Sequence, residues 1–255
     1  MYYEKLALAI GVFALAATAV SASHDRNGRN WSEEARESIN RTFAGDKVLD
    51  VDDFDGTVEV TGDSGNTIRV EGEKIIGADS ARALDRAKQE VRLDIDEKDG
   101  VARLYVNGPF RSNHSNDRGY QVTYNFTIRV PRETELRLRN VNGEISAAQT
   151  SGKFDIHGVN GAVTMTAAAG SGDVSMVNGR LTVSFRESPK AASTFRSVNG
   201  TIDATFPPGL SADLRVKTMN GHAYTDFDAK ALTPPAGPEL RFETVNGDIR
   251  IGKGR

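Results

Sequence analysis

The chain contains no cysteine. That excludes disulfide staples, thiolate metal sites and a lipid-modified N-terminal cysteine. Outside the cytoplasm such a domain must rest on its core alone, and 255 residues can supply one. Aromatic residues are sparse at 7% and prolines number 8, while glycine reaches 25. This balance suits a turn-rich all-β chain better than a disordered one. A basic excess is also missing: the formal net charge is −3, so no nucleic-acid partner is expected. No G-x-S-x-G elbow and no Walker loop occur. His24, His114, His157 and His222 are scattered without metal-ligand spacing. The sequence therefore nominates no catalytic residue, no metal ligand and no cofactor site, and the expectation is a protein that is not an enzyme.

Long hydrophobic runs are limited to residues 6–20, about 15 residues where a bilayer span needs ~20. The run ends in Val20-Ser21-Ala22, an A-x-A-like cleavage site. Residues 1–22 are read as a signal peptide cleaved after Ala22, with an uncleaved anchor as the alternative. Cleavage would leave no transmembrane span and a periplasmic or secreted protein.

What the chain does have is a phrase that returns. Val141-Asn142-Gly143, Val159-Asn160-Gly161, Val177-Asn178-Gly179, Val198-Asn199-Gly200, Met219-Asn220-Gly221 and Val245-Asn246-Gly247 follow one another at Asn-to-Asn intervals of 18, 18, 21, 21 and 26 residues. A fixed phrase at a nearly fixed period marks a repeat architecture. Short runs of alternating apolar and polar residues follow each Asn-Gly, such as Arg180-Leu181-Thr182-Val183, the pattern of a strand with one buried face. Asn and Gly both tolerate positive φ, so each phrase reads as an apolar residue, a sharp turn and a new strand. Ser151-Gly152 and Ser171-Gly172 supply a second corner per period. Such a coil buries little alone and needs its neighbours to make a core. The expected fold is all-β: a β-solenoid or β-helix-like stack of short strands, with a two-sheet β-sandwich as the alternative. A stack of hairpins stays open, because Asn-Gly between alternating runs is also a hairpin signal.

Ahead of the repeat, residues 23–38 read as a flexible polar segment, in which residues 31–36 could form a helical turn capped by Ser32. The sole tryptophan, Trp31, reads as a packing plug. Residues 39–255 read as a single domain. Ala81, Leu84, Ala87 and Lys88 follow a helical period behind Asp79-Ser80, which predicts one helix over residues 80–90. Residues 108–119 form the longest loop candidate before the repeat, and residues 233–237 an insertion that stretches the last interval.

The chain resembles the bacterial putative-adhesin domain family, extracytoplasmic β-rich domains of unknown function. The resemblance rests on Val48-Leu49-Asp50-Val51, Asp55-Gly56-Thr57-Val58-Glu59-Val60, the strand ending in Val130-Pro131, and the serial phrases closing in Val245-Asn246-Gly247-Asp248-Ile249. It covers residues 39–251. It implies an architecture and carries no catalytic signature.

Four sets of residues invite a functional reading. The six asparagines could stack into a polar stripe for a glycan, although the turn requirement already explains them and their amides could instead bond one another. Arg180, Arg186, Lys190 and Arg196 concentrate positive charge and could meet an anionic envelope polymer. Asp155, Asp173 and Asp203 each follow a corner and could line up as glycosidase carboxylates. Asp50 to Gly56 resembles a calcium loop, but an EF-hand register puts Phe54 and Thr61 at ligand positions. The reading that follows is a non-catalytic, adhesin-like binding or structural module for an envelope polysaccharide or a surface protein. Its alternatives are an accessory of envelope-stress signalling and a carbohydrate-active β-helix enzyme.

Overall fold

The computed structural model describes residues 30–111, 118–227 and 237–254. The signal-peptide expectation, His24, His114 and most of the two predicted loops lie outside those residues. Among the described residues the strands join one 16-stranded sheet that does not close on itself, with one α-helix beside it.

The N-terminal half comprises β1 (Glu33–Ala44), β2 (Val48–Asp52), β3 (Asp55–Asp63), β4 (Thr67–Ala78), α1 (Ala81–Glu90), β5 (Arg92–Lys98), β6 (Val101–Asn107) and β7 (Tyr120–Pro131). The repeat half comprises β8 (Leu136–Ala148), β9 (Phe154–Ala168), β10 (Gly172–Phe185), β11 (Ser193–Asn199), β12 (Ile202–Phe206), β13 (Asp213–Asn220), β14 (Ala223–Thr225), β15 (Glu239–Asn246) and β16 (Ile249–Lys253).

Strands β8, β9 and β10 run unbroken through their Asn-Gly and pair parallel, Asn142 opposite Asn160 opposite Asn178. Parallel pairing decides against hairpins, because a hairpin turn would make neighbours antiparallel. The dipeptide bends a continuous strand instead of ending it. In β9 the buried residues on either side of the bend are Phe154, Ile156 and Gly158 before it and Val163 and Met165 after it, with Ala168 buried at the strand's end. The parity of burial flips at Asn160-Gly161, so both halves of the strand face one core. Gly161 makes the bend possible: its φ is +143°, and a Cβ there would lie 2.1 Å from the Gly143 carbonyl oxygen.

The bend divides the sheet into two arms. The leading arm runs β5-β6-β2-β8-β9-β10-β11-β15-β13, and the trailing arm β1-β4-β7-β3-β8-β9-β10-β12-β16-β14. The final strands in sequence, β15 and β16, sit between β11/β12 and β13/β14. One apolar cluster fills the space between the arms. In the repeat half it is aromatic: Phe195 stacks on Phe242 at 5.0 Å and Phe185 on Phe206 at 4.9 Å between ring centroids. Each fully buried phenylalanine contributes about 1.5–3 kcal/mol.

Two N-terminal expectations change. Residues 33–38 form strand rather than helix or loose chain, paired antiparallel with β4 from Glu33 opposite Ala78 onward. The long edge of β4 offers backbone partners to all 12 residues of β1, and that tertiary pairing outweighs the local helical preference. Trp31 is the expected plug, buried over Gly77, where any Cβ would come within 2.3 Å of the indole. The helix begins where predicted, with Ser80 Oγ accepting from the Ala83 N–H at 3.3 Å. Its packed face is Ala83, Leu84 and Ala87, while Ala81 and Lys88 are exposed. It covers β4, β7 and β1.

Candidate binding surface

Along the outside of the bend the repeat aligns its phrase into ladders. The Asn220 amide donates to Asn246 Oδ1, Asn246 to Asn199, Asn199 to Asn178, Asn178 to Asn160 and Asn160 to Asn142, at 2.8–2.9 Å. All five bonds point the same way, so their dipoles polarise one another. Asp55 stands opposite Asn142 at the N–H end of the ladder and also accepts from Gln121 Nε2 at 2.7 Å. Beside the amides runs a backbone ladder of the six glycines. A Cβ at Gly143, Gly179, Gly200 or Gly221 would approach the neighbouring glycine carbonyl oxygen to between 1.7 and 2.0 Å, and Gly247 is nearly as tight. Asn142, Asn160, Asn178, Asn199, Asn220 and Asn246 thus spend much of their hydrogen-bonding capacity on one another.

The residue before each asparagine does not join the core. Val177, Val198 and Val245 are 38%, 41% and 36% exposed, and Met219 is 69% exposed. The register on either side places them on successive strands β10, β11, β15 and β13. Strand spacing of about 4.8 Å makes them a continuous apolar ridge. The ridge borders an open depression of about 360 Å³ flanked by Ser175, Arg196, Lys217 and Glu243. This ridge is what sequence reasoning missed. Counting alternation along β9 puts Phe154, Ile156 and Gly158 inward, and therefore Val159 and its counterparts outward.

Two charged rows accompany the ridge on the leading arm. One reads Arg103, Asp50, Arg137, Asp155, Asp173, Thr194, Arg241, Arg215 across successive strands; the next reads Tyr105, Asp52, Arg139, His157, Ser175, Arg196, Glu243, Lys217. Neighbouring charges cross-link. Arg139 lies 3.6 Å from Asp50 and 3.4 Å from Asp155, and Arg196 lies 3.1 Å from Glu243. Arg241, bonded to Glu239 at 2.7 Å, holds that carboxyl below its ordinary range.

The four predicted cations do not share one surface. Arg196 is on the leading arm, paired with Glu243. Arg180 is on the trailing arm, 3.2 Å from Asp203. Arg186 and Lys190 lie on the connection between β10 and β11, Arg186 being 3.5 Å from Glu187. The three aspartates divide likewise: Asp155 and Asp173 are register neighbours, whereas Asp203 sits on the trailing arm against Arg180 and Arg250.

Asp155, His157 and Ser175 form a hydrogen-bonded row, with Asp155 Oδ1 2.6 Å from His157 Nε2 and His157 Nδ1 bonded to Ser175 Oγ. The row lies on an open sheet face, where the backbone N–H groups are committed to the parallel ladder. Oxyanion stabilisation requires free donors aimed at the reacting carbonyl. Among the described residues, no group of three or more acidic or histidine side chains is placed to hold a metal ion. No helix there is long and apolar enough to cross a membrane.

No protein-family model matches the chain, and no curated protein matches it. Solved structures do resemble it. A "putative cell adhesion protein" from Clostridium sporogenes aligns over 86% of this chain and 100% of its own, with 11% identity and a TM-score of 0.45. A "putative adhesin" from Bacteroides fragilis aligns over 84% of this chain and 97% of its own, with 12% identity and a TM-score of 0.40. Likeness at that level transfers no activity.

Proposed function

We propose that the protein is a non-catalytic, extracytoplasmic binding module that uses a solenoid-like stack of rungs to hold an extended envelope glycan along the ridge of Val177, Val198, Val245 and Met219. The observation that carries this reading is the ridge itself. The bend requires Asn and Gly, and the core requires the alternate positions, but neither requires an apolar residue facing water on four successive strands. A repeated apolar strip flanked by Arg196, Lys217 and Glu243 suits a ligand that repeats as well, with apolar sugar faces on the ridge and hydroxyls bonded to the flanking charges. The lack of free oxyanion donors beside Ser175 and the pairing of Asp155 with Arg139 and His157 favour retention over cleavage.

Co-sedimentation with isolated cell-envelope polysaccharide tests the reading, with bound protein and released sugar both measured. The protein should be retained saturably without sugar release. Val198→Asp combined with Val245→Asp should weaken retention about tenfold or more, a loss of ~1.4 kcal/mol, with an unchanged circular dichroism spectrum. Unaltered retention by that variant, or sugar appearing in the supernatant, would overturn it.

A further inference from the structure

At the far end of the stack from the ridge, edge strands β1 and β5 leave an open cleft of about 430 Å³. Ile39 from β1 and Leu93 and Ile95 from β5 give it apolar walls. Four cations line it, Arg41, Lys74, Lys88 and Arg92, against one carboxylate, Glu37. The lining therefore carries a formal +3, four minus one, in a chain whose net charge is −3.

Two polar residues of the cleft are buried. Lys74 is 6% exposed. Its ammonium donates to the Val91 carbonyl at 2.9 Å and lies 3.6 Å from Glu37. Burial pulls its pKa down, with Glu37 opposing. Tyr124 is 1% exposed and lines the cleft. Burial pushes its pKa well up, so it stays a donor. The Lys74 ammonium is 6.0 Å from the centre of the Tyr124 ring. A buried lysine costs stability that a leucine would not. That cost is offset when an anionic oxygen lies beside the ammonium.

We propose that this cleft binds a small anionic amphiphile, its carboxylate held by Lys74 and the Tyr124 hydroxyl and its apolar body lying against Ile39, Leu93 and Ile95. The exposed rim cations Lys88 and Arg92 attract the head group, and the walls set how much of the tail is sheltered. This site is independent of the ridge and of any glycan.

Isothermal titration of the purified protein tests it, with three probes at monomeric concentrations: decanoate, decanol and acetate. Decanoate should bind at one saturable site, and the uncharged alcohol and the tail-less acetate at least about tenfold more weakly, since each lacks one half of the recognition. Tyr124→Phe keeps the ring and should weaken decanoate about tenfold or more, the size of one lost hydrogen bond to a charged group. Lys88→Gln with Arg92→Gln, both on exposed residues that spare folding, should weaken it and flatten its salt dependence. The ridge double variant Val198→Asp with Val245→Asp should leave it unchanged. Equal affinity for decanol and decanoate, no binding of decanoate, no effect of Tyr124→Phe, or loss of binding in the ridge variant would each overturn the proposal.

Discussion

At one end of the stack β1, β4 and α1 fold over the core in antiparallel and helical cover; at the other, β13 and β14 stand as a bare parallel rung. The covered end takes polar groups inside, with Glu34 and Lys74 both buried. The bare end does the reverse. Val216, in register with the fully buried Phe242, is 39% exposed because, among the described residues, no strand pairs beyond β13. The contrast teaches that in this chain the repeat builds the core and the non-repeating sequence finishes it. The bare edge is protected by charge, Arg215 and Lys217, rather than by cover, one of the ways natural edge strands avoid pairing with other chains.

The largest effect that could break this comparison is a methyl group in the glycine ladder. Gly179→Ala, in mid-stack, forces a Cβ to 1.7 Å from the Gly161 carbonyl oxygen and should cost at least ~4 kcal/mol in urea unfolding. Gly221→Ala meets a similar clash, 2.0 Å, on the bare rung and should cost about half as much, because that rung can fray. Equal losses would mean the bare end is as firmly held as the middle.

Next comes the core. Phe195→Ala removes a ring stacked on Phe242 and should cost about 3–5 kcal/mol, against less than ~1 kcal/mol for Val216→Ala. Urea midpoints of the two variants sharpen the gradient between the ends.

The half nearer the covered end also carries a pH dependence. Asp53 is fully buried, accepting from the Phe54 N–H at 2.7 Å while its Oδ2 has no hydrogen-bond partner. Burial, helped by Asp55, pushes its pKa up to about 8. The folded state therefore keeps a proton that the unfolded chain releases near pH ~4. The stability from this group is full below pH ~4 and is lost as pH rises to about 8, a decline on the order of 5 kcal/mol. Asp53→Asn should flatten that part of the stability profile, and a profile unchanged by the substitution would place the titration elsewhere.

The smallest difference lies in the amide ladder. Asn178→Ala removes two ladder bonds and should cost about 1–2 kcal/mol; Asn220→Ala removes one at the bare end and should cost ~0.5 kcal/mol. Thermal melts of the pair would resolve it.

Much of this was legible in advance. The Asn-Gly period announced a change of direction once per rung, Ser80 announced the helix, and the alternation around Leu181 announced a strand with one buried face. Strand direction was not legible, because Asn-Gly serves a bend and a hairpin equally well. The extension of β1 to Glu33 was hidden because its partner, β4, is some 35 residues away in sequence. The pairing of Arg180 and Arg196 with acids was hidden for the same reason: Asp203 and Glu243 become neighbours only once the rungs are stacked in order. The order itself escapes local reading, since nothing in residues 239–253 says that they belong inside the stack.

That inversion bears on synthesis. Residues 213–225 leave the ribosome before the rung they rest upon exists, and the first surface offered to them is the exposed side of β11 and β12, which belongs to β15 and β16. Residues 239–253 behave as a keystone. A chain cut after Pro238 would forfeit two rungs instead of one, and a nascent chain must hold one seat vacant until its own end arrives.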